Sequence, residues 1–262
     1  MSSGCWAAQH RLCPWESVQN PPELRPDELH LWWVPLFAPA PVTNELAAML
    51  SSSELTRADR FHFDRHRQGY ILGRSTLRLL LAGYTGATCQ EITFTLGPYG
   101  KPALANGAKA ESLCFNYSDA GAHALYGFTW NADIGVDLEN LDREVGFDRI
   151  VQRKFTPAEA DSILGLPEAR QRSAFLACWT RKEGYGKAQG WGIRYPLDSE
   201  ELCVDCETDR FELETGNGKA KNWVIQQIYP TERFVGCVVY PTALESRTNF
   251  VIRYFTTNPG LR

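Results

Sequence analysis

Three short stretches of this chain carry residue types at spacings that could do chemistry. ADIGVDLEN, residues 132–140, alternates apolar Ile134, Val136 and Leu138 with Gly135, Asp137 and Glu139. On a strand that alternation puts both carboxylates on one face, where they repel unless something positive sits between them. A half-solvated strand with an acidic outer face has this pattern. So does a hard-cation site, because Mg2+ takes a few carboxylates and completes its shell with water and phosphate oxygens. In FLACWTRKEGYGKAQGWG, Trp179, Glu183 and Lys187 fall at i, i+4 and i+8 on one helical stripe. A surface Glu-Lys pair of that kind contributes only about 0.3–0.5 kcal/mol. Gly184 and Gly186 point to more, since each costs roughly 1 kcal/mol inside a helix and signals another backbone or a ligand approaching closely. The third stretch is YGKP, residues 99–102, a turn that projects Lys101, followed by FNYSD at 115–119. Serine, lysine and turn amides hold phosphates, and ordinary turns use them too.

Elements must bring these pieces together. The first 27 residues are rich in Pro, Ser and Asn with little periodicity, which predicts a loosely ordered extension. HLWWVPL at 30–36 reads as a strand. Helices begin near Asn44 and after Ser51, the second with Ser51 and Glu54 as a capping box. A long helix covers 65–84, with Ile71, Leu72, Leu77, Leu80 and Leu81 on its apolar face and Gly83 and Gly86 near its end. Strands follow at 91–96, 113–118 and 124–130, separated by the turn residues of GPYGKP and DAGAH. ADIGVDLEN opens the second half. A helix at 148–155 comes next, then a Thr156/Glu159 capping box with Pro157 in the first turn, and a long helix over 168–187 closed by Gly190 and Gly192. Strands at 201–207, 210–215, 222–229, 233–240 and 250–255 complete the chain. Each half, 28–130 and 131–262, thus runs through a capped short helix, a long helix ending in glycine and several strands, the order of an internal repeat in an α+β fold.

Composition sets the limits. The 262 residues are 44% hydrophobic, 12% aromatic and 22% charged, which is ample for a folded core. A net charge of −4 argues against a nucleic-acid coat. No apolar run is long enough to span a membrane, and the N-terminus lacks the pattern of a secretory signal, so the expected location is the cytoplasm. The eight cysteines are scattered through apolar context and read as mostly reduced and buried. Cys203 and Cys206 form a lone C-x-x-C in a strand-like stretch, and two ligands do not make a tetrahedral zinc site. Neither a P-loop nor a kinase motif set is found.

In order and spacing the pieces resemble the Sfp-type 4'-phosphopantetheinyl transferases. That family shows an R-F segment, then G-K-P, F-N-x-S-H, G-[IV]-D-[IL]-E, and W-[ST]-x-K-E-x-x-x-K followed by G-x-G. Here the segments read RADRF, GKP, FNYSD, GVDLE and WTRKEGYGKAQGWG, over about residues 29–240. GVDLE and WTRKEGYGK are the specific part. The resemblance implies two α+β halves related by a pseudo-twofold, with the active site between them. It implies Asp137, Glu139 and Glu183 as ligands of Mg2+, for which Mn2+ can substitute, bridging the diphosphate of coenzyme A. Glu183 is also the implied general base, acting directly or through water, and Lys187 the contact to the transferring phosphoryl group. Lys101, Pro102, Asn116, Ser118 and Asp119 would line the nucleotide end, with Arg57 and Arg74 around the 3'-phosphate and adenine. The implied partner is an apo acyl or peptidyl carrier protein, served by a monomer. Asp119 stands where the family usually has histidine. A carboxylate beside a phosphate has to turn away or be bridged by an arginine from the 57–74 segment, such as Arg65 or Arg67. A catalytically weak coenzyme A binding protein of the same fold is the alternative; it would have lost a metal acid, and all three are present.

Overall fold

The computed structural model describes residues 10–105, 112–192, 196–202, 208–213 and 222–258. The first half contains β1 (Glu16–Ser17), β2 (Glu28–Pro35), α1 (Ala40–Ala47), α2 (Ser52–Ala58), α3 (Asp64–Thr85), β3 (Phe94–Leu96), β4 (Pro102–Leu104), β5 (Leu113–Ala120) and β6 (His123–Trp130). The second contains β7 (Gly135–Asn140), α4 (Asp148–Lys154), α5 (Pro157–Leu164), α6 (Glu168–Ala188), β8 (Arg210–Leu213), β9 (Trp223–Thr231), β10 (Phe234–Pro241) and β11 (Val251–Thr256). One sheet has the order β1-β11-β2-β6-β5, the other β7-β10-β9-β8, and β3-β4 is a hairpin. The fold is α+β in two halves, as the order of elements predicts.

Side-chain alternation decides the layers. On β2, Trp32 and Val34 join Tyr126 and Phe128 of β6 and Leu72, Leu77 and Leu81 of α3 in the core beneath the helices. Leu29, Leu31 and Trp33 point the other way and meet Ile134, Val136 and Leu138, with Val224 and Val238, in a core between the two sheets. The odd-numbered residues of the second sheet, Ile225, Cys237 and Val239, lie under Tyr185 and Ala188 of α6. That parity leaves Gly135, Asp137 and Glu139 on the side of β7 that faces α6.

The repeat extends to polar detail. Ser51 and Glu54 form a reciprocal capping box at α2, and Thr156 and Glu159 do the same at α5. In each half that glutamate also takes a cation from the following long helix: Glu54 holds Arg74 at 2.7 Å and Arg78 at 2.8 Å, and Glu159 holds Lys182 at 2.7 Å. Lys182 and Glu159 are fully buried, and Lys182 also donates to Glu200 O (2.9 Å), with Glu159 accepting from Leu202 N (2.7 Å). The pair therefore pins the chain beyond α6.

Several expectations are corrected. Residues 10–27 are fastened rather than loose. Cys13 N donates to Tyr229 O and Val18 N to Thr256 O, β1 pairs with β11, and the Trp15 indole donates to Pro230 O at 2.9 Å. Backbone pairing supplies what the composition does not advertise. The halves are also not contiguous in sequence: β11, from the end of the chain, pairs with β2 in the first sheet. The first helix starts at Ala40, where Pro41 suits a first turn, rather than near Asn44. Cys13, Cys89, Cys114 and Cys237 form no disulfide, but Cys178 is disulfide-bonded, a proximity that sequence spacing cannot show. Cys203 and Cys206 lie outside the described residues.

A Cβ at Gly135 would strike the carbonyl of Gly184 and stand 2.5 Å from Ala188 N. Neither backbone can give, so Gly135→Ala should lower stability by about 1–3 kcal/mol in urea unfolding. A loss below about 0.5 kcal/mol would mean that β7 and α6 are not locked together here.

Candidate active site

β5 is the last strand of the first sheet and β7 the first of the second, and the site lies where these two edges meet. Asn116 Oδ1 accepts from Val136 N at 2.9 Å, and Ser118 Oγ donates to Asp137 Oδ1 at 2.8 Å. From the other side, Lys187 of α6 donates to Asp137 Oδ1 at 2.5 Å and to Ser118 Oγ at 3.0 Å. One turn earlier on α6, Glu183 faces the same acids. The close approach at Gly135 and Gly184 brings the helix within reach.

The acids are held unequally. Asp137 and Glu139 are buried, at 6% and 8% exposure. Glu139 accepts from Arg143 at 2.6 Å, whereas no hydrogen-bond donor among the described residues reaches Glu183. Burial pushes the Glu183 carboxyl above the ordinary carboxylate range, and Asp137 pushes it further, with Lys187 opposing. Glu139 is raised as well, by burial against the pull of Arg143. Asp119 follows: crowding by the protein raises it, Lys187 opposes, and Asp137 adds. This cluster of carboxylates favours a positive charge.

Mg2+ fits that chemistry. It needs two or three carboxylates and leaves the rest of its shell to water and phosphate. Among the described residues no three such groups are gathered into a finished cage. Lys187 sits on Asp137 and Arg143 on Glu139.

Beside the site opens a cleft of about 810 Å³ lined by Arg57, Tyr70, Arg74, Phe94, Pro102 and Tyr117, among others. The Arg57 guanidinium lies over the Tyr70 ring at 5.5 Å, with no carboxylate partner among the described residues. Arg74 is in the cleft wall, stacked on Phe94 at 4.7 Å, but its charge is already met by Glu54.

Other expected residues have different tasks. The Lys101 ammonium donates to Ile134 O (3.1 Å) and Ala188 O (2.9 Å), so it braces the C-terminal end of α6 against β7 instead of projecting from its turn. Asn116 joins the sheet edges. No arginine bridges Asp119 among the described residues: Arg67 holds Asp59, Arg65 lies over Phe63, and the cation closest to Asp119 in effect is Lys187.

Two family models match. One, described as the 4'-phosphopantetheinyl transferase superfamily, covers residues 133–239, and the other, the N-terminal part of a 4'-phosphopantetheinyl transferase, covers 37–127. The chain is 36% identical over 232 residues to the 4'-phosphopantetheinyl transferase HetI of a Nostoc species, covering 88% of this chain and 93% of that protein. The chain belongs to the 4'-phosphopantetheinyl transferase family. It is also 26% identical over 152 residues to 4'-phosphopantetheinyl transferase Sfp of Bacillus subtilis, covering 58% of this chain and 65% of that protein. An L-aminoadipate-semialdehyde dehydrogenase-phosphopantetheinyl transferase of Xenopus laevis is 28% identical over 166 residues, covering 60% of this chain and 55% of that protein. Like these transferases, the chain is an enzyme. The two family models divide between residues 127 and 133, where β6 gives way to β7 and the two sheet edges meet.

Sequence reasoning missed Arg143 and the second role of Glu54. Glu54 did carry a signal, since a glutamate at the third position of a capped helix already faces back toward the chain. Arg143 carried none.

The raised carboxyls set a sign. Where a native carboxyl titrates above its unfolded value, the native state binds more protons, so stability falls as pH rises through that interval. In chelated protein, Glu183→Gln should therefore melt above wild type at pH 8 by about 2–4 °C, the scale of a ~1 kcal/mol effect in a chain of this size. The gap should close toward pH 4, where the wild-type carboxyl is protonated. A variant that melts at or below wild type at pH 8 would show that the Glu183 charge is not strained.

Proposed function

We propose that this transferase moves the 4'-phosphopantetheine of coenzyme A onto a serine hydroxyl of an acyl or peptidyl carrier protein at the junction of β5, β7 and α6. The observation that supports this is the meeting of Asp137, Ser118 and Lys187, from both halves, beside a cleft walled by arginine and aromatic side chains. Divalent Mg2+, or Mn2+ in its place, would be held by Asp137, Glu139 and Glu183 and would supply neutralisation of the diphosphate.

The protein's own groups account for the rest. The serine oxygen attacks the phosphorus that carries pantetheine, forming a new O–P bond as the bond to the nucleotide's phosphate breaks and 3',5'-ADP departs. Glu183, raised by its surroundings and free of donors, takes the serine proton. Lys187 stands within reach of the oxygens on which charge builds, and in a partly dry site such a contact is strong. Arg57 over Tyr70 offers a cation to the nucleotide end, while Arg74 acts as a stacked wall. The proposed setting is the cytoplasm, with the enzyme acting as a monomer.

Incubation with coenzyme A, Mg2+ and apo carriers, followed by intact mass measurement, tests the proposal. A carrier serine should gain one phosphopantetheine. Asp137→Asn and Lys187→Ala should each slow that gain roughly hundredfold or more, with circular dichroism unchanged. Chelation should stop it. Lys187→Ala with a lower melting temperature and full turnover would reduce Lys187 to a structural ion pair, and full activity in chelator would remove the cation from the reaction.

A further inference from the structure

The turn after β7 is built to return an arginine to the site. Asn140 Oδ1 accepts from Asp142 N at 2.8 Å, the Asn140 carbonyl accepts from Arg143 N at 2.9 Å, and Leu141 N is tied to Arg233 O. The chain folds back, and Arg143 Nη1 meets Glu139 Oε1, four residues earlier, at 2.6 Å. Asp142, the acid next to Arg143, does not compete for it because it is occupied by Arg233 at 2.6 Å.

The two ends of this pair differ in freedom. The Glu139 side chain is 11% exposed and fixed on a sheet strand, whereas the Arg143 side chain is 54% exposed and reaches in from solvent. Arg143 can leave by rotating outward; Glu139 cannot follow. A cation that takes Glu139 through Oε1 meets Arg143 on that oxygen, and one that takes it through Oε2 finds the carboxylate's charge already shared with a guanidinium. Lys187 stands in a similar relation to Asp137, but it is 24% exposed and also bound to Ser118, so it stays in the site.

Given the metal reading above, on which this rests, we propose that Arg143 is a built-in competitor for the divalent cation. It neutralises Glu139 in the metal-free protein and is displaced when the cation arrives, so that it sets how tightly the enzyme holds its metal. Arg143 is thus a positioning residue that acts through Glu139.

Mn2+ is the probe, titrated into the full chain without coenzyme A and followed by the loss of the free-ion electron paramagnetic signal. Arg143→Ala should bind Mn2+ about two- to fivefold more tightly than wild type, the scale of one half-exposed ion pair. The same variant should melt lower than wild type in chelator. Arg143→Lys should bind like wild type. A bracing role alone predicts the opposite for the metal: Arg143→Ala would bind it equally or more weakly, and that result overturns the proposal. Asp137→Asn and Glu183→Gln separate the two failures. If these variants weaken Mn2+ binding but Arg143→Ala does not tighten it, only the competitor falls. If they leave binding unchanged, the metal site itself is misplaced and the competitor falls with it.

Discussion

The backbone of β7 lies against α6 so closely at Gly135 that no side chain fits between the strand and the carbonyl of Gly184. Everything in the site depends on that contact. Asp137 and Glu139 are the next two residues on the same face of β7, and Glu183 and Lys187 bracket Gly184 on the helix. A strand rising about 3.3 Å per residue and a helix rising 1.5 Å can keep such groups opposite one another only over a short distance, which is the length of the site. Lys101 reinforces the junction from outside by holding Ile134 O, just before β7, and Ala188 O at the end of α6.

Among the described residues, that junction collects more negative charge than contacts neutralise. Asp119, Asp137, Glu139 and Glu183 share the region, and the cations touching them are Lys187 and Arg143. Lys154 stands further off, acting on Glu183. In the second half's interior the solution is different: Lys182 and Glu159 are paired one to one and sealed from water. Adjacent residues on α6, Lys182 and Glu183, therefore serve opposite ends. One is matched and structural, and the other has no hydrogen-bond donor among the described residues and is the proposed ligand of an incoming cation.

Much of this was legible in the residues. Alternation in ADIGVDLEN correctly put both acids on one face, and the two capping boxes marked the repeat, but a Cβ at Gly184 would meet only the Val239 and Cys237 side chains, and the close backbone contact belongs to Gly135. What sequence could not supply was partnership across space. Lys101 reads as a lysine projecting from a turn, and only the packing of α6 against β7 gives its ammonium two carbonyls. The partner of Arg74 is likewise Glu54, twenty residues earlier, which no spacing rule names. The N-terminal segment has no periodicity because backbone pairing with β11, at the far end of the chain, holds it. α6 shows no clear apolar stripe because it is buried nearly all round, from Ala174 to Ala188.

The central claim is that β7 and α6 form one cation and diphosphate site. Crystals grown with Mn2+ and coenzyme A, measured by anomalous scattering at the manganese edge, test it most directly. The account predicts a single strong peak among the carboxylates of Asp137, Glu139 and Glu183, with Lys187 moved from Asp137 to the diphosphate. A peak outside that trio, or Lys187 still on Asp137 with the diphosphate bound elsewhere, would contradict it.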